Sequence, residues 1–347
     1  MALIRRRRHQ QLTVLLLVLV AGVLALAALA LGPVGIHPDR LLAAVLGRGS
    51  TTEIAILWVI RLPRLLLGVA AGTALALSGA ALQGVLRNPL ADPGLIGITA
   101  GASLGSVTVI VLGGVIAESF PTILRPWLLP VAAFLGAALV IVFVFSFARR
   151  SGRTSVATLI LAGVAVNATA AAVIGALVYI SDDDQLRDLT FWTMGALAGA
   201  NWPLVLVVTG LTAVSTPLLM GQARALDLLQ LGERSAFHSG LDVEHCKRRV
   251  ALATAVSVGA VTSAAGPIGF IGLVAPHLAR LVLGPRHAVL LPVAVLMGVG
   301  LVLAADLAVR LVTPPAEPPL GLATSLLGGP FFLWLLLRKE SSDQGGD

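Results

Sequence analysis

Apolar runs long enough to cross a bilayer recur along this chain from residue 12 to residue 337. A hydrocarbon core about 30 Å thick needs about 20 apolar residues of helix. The chain therefore reads as an all-α polytopic membrane protein. About ten transmembrane helices are expected, over 12–31, 65–86, 95–117, 127–147, 156–180, 189–220, 250–265, 268–283, 288–309 and 320–337. Composition agrees: 12% of residues are charged, about half the share usual in soluble domains. We expect one membrane domain over 1–340 and a polar tail over 341–347.

Two apolar stretches are dense in helix breakers. They are RNPLADPGLIG (Arg87 to Gly97) and GPIGFIGLVAPHLAR (Gly266 to Arg280). Broken backbone at membrane depth is tolerated only where the freed groups face protein or a water-filled cavity, so both stretches point to a pathway. The sixth span is expected to be interrupted near Asn201-Trp202-Pro203, because proline removes a donor and crowds the preceding turn. The seventh and eighth meet at Gly266-Pro267.

The net charge of +7 does not point to nucleic acid, because the basic residues sit in short loops between apolar runs. With the N-terminus inside, 17 Lys and Arg fall in inner segments and 7 in outer ones. That bias predicts cytoplasmic termini. Arg5 to Arg8 precede the run Leu12 to Leu31, and Ala28-Leu29-Ala30 resembles a cleavage site. The run is longer than a signal-peptide core, so a retained first span is expected.

The chemistry of catalysis is missing from the sequence. There is no GxxxxGK[ST] phosphate loop and no Cys/His spacing for a metal, and the lone Cys246 excludes an internal disulfide. No paired acids, Ser/His pair or zinc motif serves an intramembrane enzyme. An ion-coupled secondary transporter would use midplane carboxylates; Asp306 is thin support, and an i,i+4 pair with Arg310 accounts for it more simply.

One inner loop, Gly221 to Arg249, is patterned. ALDLLQLGERSAFHSGLDV predicts a short amphipathic helix, a stop at Gly232 and a second short helix ending near Gly240. Such helices would lie at the membrane face and receive a partner; the bland alternative is a solvated charged loop.

RLPRLLLGVAAGTALALSGAALQGVLRNPLADPGLIGITAGA (Arg61 to Ala102) resembles the first block of the FecCD-type permeases. LILAGVAVNA (Leu159 to Ala168), FWTMGALAGANW (Phe191 to Trp202), LLQLGERSA (Leu228 to Ala236) and AGPIGFIGLVAPHLAR (Ala265 to Arg280) follow in family order. The block Ala305 to Leu336 completes a resemblance covering about 55–338. The resemblance implies the type II ABC importer permease fold. It also implies a second permease copy, two separate ABC ATPase subunits that bind the ATP and Mg, and an outer substrate-binding protein. The chain itself would hold no cofactor.

The same resemblance implies residue roles. Arg61, Arg64 and Arg310 would face carboxylates of the binding protein, as a guanidinium fork suits; the alternative is anchoring at headgroups. Leu229, Gly232, Glu233, Ala236 and Gly240 match the ATPase-coupling helices, with departures at His238 and Ser239. Asn88, Pro89 and Leu90 match the cytoplasmic gate, and Thr154 and Ser155 match it more loosely. Helix capping is an alternative or additional role for Asn88 and Ser155. His277 reads as a structural hydrogen-bonding residue rather than a haem ligand.

The stretch YISDDDQLRDLTFWTMGALAGANW (Tyr179 to Trp202) resembles haem permeases more than siderophore permeases. Haem is therefore the expected cargo, with ferric siderophore and cobalamin as alternatives. Arg187 is a candidate contact for a haem propionate; its alternative is an ion pair with Asp183, Asp184 or Asp188. The expected location is the bacterial cytoplasmic membrane.

Overall fold

The computed structural model describes residues 2–343, except 33, 34, 36, 151, 313, 315 and 316. It is almost wholly helical. The long helices are α1 (Ala2–Ala30), followed by the short α2 (Pro38–Val45) and α3 (Thr51–Ala55), then α4 (Leu62–Leu86), α5 (Ile98–Glu118), α6 (Arg125–Ala148) and α7 (Val156–Ile180). After them come α8 (Asp183–Thr193), α9 (Trp202–Met220), the short α10 (Ala223–Leu229) and α11 (Glu233–His238), α12 (Val243–Ala265), α13 (Ile271–Leu283), α14 (His287–Val312) and α15 (Leu320–Asp343). A two-residue hairpin, β1 (Arg149–Arg150) with β2 (Arg153–Thr154), joins α6 to α7.

Six helical stretches among the described residues are long and apolar enough to cross a membrane: 8–30, 51–86, 125–148, 156–180, 202–220 and 287–312. Shorter apolar helices cover 98–114, 271–283 and 320–333. The core forms around α4, against which α14, α12, α13 and α9 pack. By contrast α1 lies at the periphery on α14, and its leucines face outward, as do many on α6, α7 and α9. That inversion suits a lipid surround, in which helix association rests on close van der Waals packing of small residues. Gly72 of α4 is such a site: a methyl group there would lie 2.6 Å from the Val299 Cα of α14. At Gly101 of α5 it would lie 2.4 Å from the Gly136 carbonyl oxygen of α6.

Two helix boundaries and one local helix geometry differ from expectation for physical reasons. The second long helix begins at Thr51, not 65, under a Ser50/Glu53 capping box. It passes through a π-helical turn, Ile56–Arg61, just before Pro63, where proline's missing donor disturbs the regular ladder. Pro203 does not interrupt a helix. It lies in the first turn of α9, behind an Asn201 side chain that caps Leu204 N–H at 3.1 Å, a position that tolerates proline. The real break is upstream, over 194–201.

That break meets the break over 266–270. Ala196 N–H donates to the Ala265 carbonyl at 2.7 Å, and Gly321 N–H donates to Met194 O at 3.0 Å. Gly195 and Gly266 both take positive φ, 69° and 68°. Backbone groups freed over 194–201 are thus held by the end of α12 and the start of α15. Near the break over 87–97, the Asn167 side chain donates to Gly94 O at 3.0 Å and the Gln83 amide to Ala91 O at 3.2 Å.

Candidate functional site

Two clusters of buried charge stand apart from the apolar packing, one where α1 and α14 end and one at the α10–α11 loop. At the first, Arg61 closes the π-helical turn, Arg64 follows within α4 and Arg310 lies in the last turn of α14. All three are buried. Arg64 Nε donates to Asp306 Oδ1 at 2.9 Å and Nη2 lies 2.8 Å from the same oxygen, while Nη1 pairs with Glu317. Arg310 Nε holds the other oxygen of Asp306 at 3.1 Å, so the i,i+4 pair is present. Arg310 also donates to Ala28 O at 3.2 Å, and Arg61 to the carbonyls of Ala30, at 2.9 Å, and Leu29. These bonds lace α1, α4 and α14 together. In the single chain, all three guanidiniums are turned to its own acceptors; Glu317 is the most open member of the cluster.

The second cluster is built on α10, α11 and the start of α12. Leu226 and Leu229 are fully buried beneath α10, and Ala236 beneath α11. Leu231 and Phe237 stand out at 69% and 67% exposure, large apolar surface on an otherwise charged loop. Gly232 and Gly240 adopt positive φ, 102° and 83°, so the two turns that aim α11 depend on glycine. Three polar contacts pin the loop. Gln230 Nε2 donates to Gly84 O at 3.0 Å, near the end of α4. Asp227 accepts the His287 N–H at 2.9 Å and lies 2.7 Å from its Nδ1. Glu233 lies 2.9 Å from Lys247 Nζ.

Lys247 is 1% exposed. Its ammonium also donates to the Thr154 carbonyl at 2.8 Å and lies 3.6 Å from Glu244. Glu244 in turn accepts from Thr154 N–H at 2.9 Å and from its hydroxyl at 2.6 Å. Burial alone would raise the Glu244 pKa; the bonds from Thr154, with the nearby Lys247 charge, bring it below the usual carboxylate range. A buried cation persists only when paired and hydrogen-bonded, and this one binds three elements at once: α11, β2 and its own helix. Cys246 beside it is buried, which pushes its thiol up to about 11.

The remaining expected residues are placed as follows. Asn88 Oδ1 accepts from Leu90 N–H at 2.9 Å, closing the turn that carries Pro89. Ser155 caps α7 by accepting from Thr158 N–H at 3.3 Å. Ser155 is therefore a helix cap, whereas Asn88 closes a turn and caps no helix. Arg187, on α8, is exposed, and among the described residues it forms no ion pair with Asp183, Asp184 or Asp188. The hydrogen bond expected of His277 is not found at Nε2, which is buried without a partner; the ring stands edge-on to Phe331 at 5.9 Å.

Gln230, Asp227, Glu244 and Lys247 were not singled out in the sequence. The available signal was faint: Lys247 is one of two lysines in the chain, and it follows Glu244 by three residues.

Comparison with known proteins fits this architecture. The FecCD transport family matches residues 15–338, reaching back into α1. The hemin transport system permease protein HmuU of Yersinia pestis is 45% identical over 92% of this chain and 95% of its own length. The cobalamin import system permease protein BtuC of Halobacterium salinarum is 41% identical over 83% of this chain and 75% of its own. The vitamin B12 import system permease protein BtuC of Vibrio cholerae is 40% identical over 84% and 86%. A solved metal-chelate type ABC transporter in an inward-facing conformation superposes with a TM-score of 0.81 at 29% identity, covering 93% of this chain and 97% of that one. With its breaks, its patterned loop and its order of blocks all accounted for, the chain belongs to the FecCD transport family.

Proposed function

We propose that this chain is the membrane subunit of a binding-protein-dependent ABC importer that carries haem across the cytoplasmic membrane. Ten helices cross the bilayer: α1, α4, α5, α6, α7, α9, α12, α13, α14 and α15. Both termini are cytoplasmic. Two copies of the chain form the pathway at their interface, two separate ATPase subunits dock on α10 and α11, and a substrate-binding protein docks at the opposite face near Arg61, Arg64 and Arg310. ATP hydrolysis belongs to the partners.

The observation that carries this reading is the Lys247 link. ATPase closure moves α10 and α11, whose Leu231 and Phe237 offer the docking surface. Glu233 transmits that movement through Lys247 to Thr154 and the adjoining Ser155. Gln230 transmits it through Gly84 toward Asn88, Pro89 and Leu90. Both gate segments are therefore tied to the same loop, and the pathway alternates by near-rigid gating of packed helices.

Haem is favoured by the likeness to the hemin permease and by the Tyr179–Trp202 stretch, where Arg187 is free to meet a propionate. Cobalamin is the second reading, supported by the two relatives named for it; ferric siderophore is the third. The test is uptake into proteoliposomes holding the permease, its ATPase and its binding protein. ATP-dependent haem uptake exceeding that of cobalamin and ferric siderophore is expected. Equal or greater uptake of either competitor overturns the choice of cargo.

A further inference from the structure

A cavity of about 350 Å³ opens between the end of α6 and the start of α12, beside β2. Its lining divides by chemistry. Ile141, Val142 and Phe145 of α6 and Ala251 and Leu252 of α12 form an apolar wall, whereas Arg149, His245 and Arg248 stand at the other end. Asp242 and Glu244 also line it, but both are already engaged. Asp242 caps α12 through the His245 N–H at 2.9 Å, and Glu244 is held by Thr154 and Lys247. Arg149 and Arg248 are exposed and have no partner among the described residues. The cavity therefore presents two uncommitted guanidiniums above a greasy wall.

From this division we infer that the cavity is a binding site for an anionic phospholipid of the inner leaflet. A docking protein of the cytoplasm would cover the charged end and leave the apolar wall unused, where Val142 and Leu252 are 56% and 50% exposed. A free anion would leave the apolar wall unused. A lipid satisfies both ends: phosphate against Arg149 and Arg248, acyl chain along α6 and α12. Basic pockets between helices at the cytoplasmic side suit such headgroups, and paired arginines suit phosphate. No residue of the breaks over 87–97, 194–201 and 266–270 lines the cavity, and of the proposed gate residues Thr154 alone does. Thr154 and Glu244 form part of its wall, and the lipid therefore leans on the hairpin that Lys247 joins to α11. The inference rests on the membrane reading of the chain and is independent of the cargo.

The test uses the full-length purified chain, delipidated in neutral detergent, with native mass spectrometry reading retained adducts. Phosphatidylglycerol, phosphatidylcholine of the same acyl chains, and glycerol phosphate are offered separately. Phosphatidylglycerol should be retained about tenfold over phosphatidylcholine, since basic contacts near an anionic surface each add a modest increment. Glycerol phosphate should not be retained. R149Q/R248Q should abolish the preference, whereas R224Q/R286Q, which removes equal charge elsewhere, should keep it. Leu252→Gln should lower retention of both lipids and leave folding intact by thermal melt. Equal retention of the two lipids, retention of glycerol phosphate alone, or loss of preference in R224Q/R286Q overturns the site.

Discussion

The Arg64–Asp306–Arg310 cluster and the Lys247 cluster both hold cations out of water, with opposite mechanics. The first joins the ends of long helices, α4 to α14 and both to α1. Its central acid, Asp306, is 2% exposed and has an arginine on each carboxylate oxygen. The second joins a long helix to two small elements, a six-residue helix and a two-residue strand. Its acids, Glu233 and Glu244, remain 36% and 29% exposed. Water can therefore hydrate the acids left by a lost Lys247, but not the guanidiniums left by a lost Asp306. The comparison teaches that one cluster fastens long helices to one another, while the other fastens small loop elements to a long helix.

The largest effect should come from Asp306→Ala. It strands two buried guanidiniums, and breaking such a pair costs about 3–5 kcal/mol. Thermal unfolding in detergent should show little folded protein. Lys247→Met should cost less, about 1–3 kcal/mol for a lost charged hydrogen bond, because its acids stay partly hydrated. Equal melting losses in the two variants would break the comparison. Glu317→Gln should cost no more than about 1 kcal/mol, since Arg64 keeps Asp306 and a partly exposed pair contributes little. A loss as large as that of Asp306→Ala would mean that Glu317, not Asp306, anchors the cluster.

The smallest effect is with pH. The Glu244 pKa is lowered in the fold, so its contribution is present above the ordinary carboxylate pKa and is lost as pH falls through the lowered value. Melting temperature measured from neutral to acid pH should fall less steeply in Glu244→Gln than in the parent chain. Identical slopes would show that Glu244 contributes no pH-linked stability.

The long helices were legible because their signal is local: length of apolar run and spacing of breakers. Boundaries failed where capping or register decided them. Ser50 and Glu53 extended a helix into polar sequence, and Pro203 began a helix it was expected to interrupt. The arginines were legible by type and position, yet the Arg64–Asp306 bond spans 242 residues, a separation that periodicity cannot register. Lys247 was illegible for the same reason. Its partners come from Thr154, 93 residues away, and from a helix across a glycine turn, and a lone lysine in a basic loop looks like any topogenic charge. The turns at Gly232 and Gly240, by contrast, could be read from glycine alone.

The measurement that bears most directly on this account is the ratio of ATP hydrolysed to cargo delivered by Lys247→Met in proteoliposomes with its ATPase and binding protein, using vesicles matched to the parent for folded permease. If Lys247 carries the ATPase stroke to Thr154, hydrolysis persists while delivery falls at least tenfold, and the ratio climbs accordingly. A ratio equal to that of the parent chain would show that movement reaches the gate by another route.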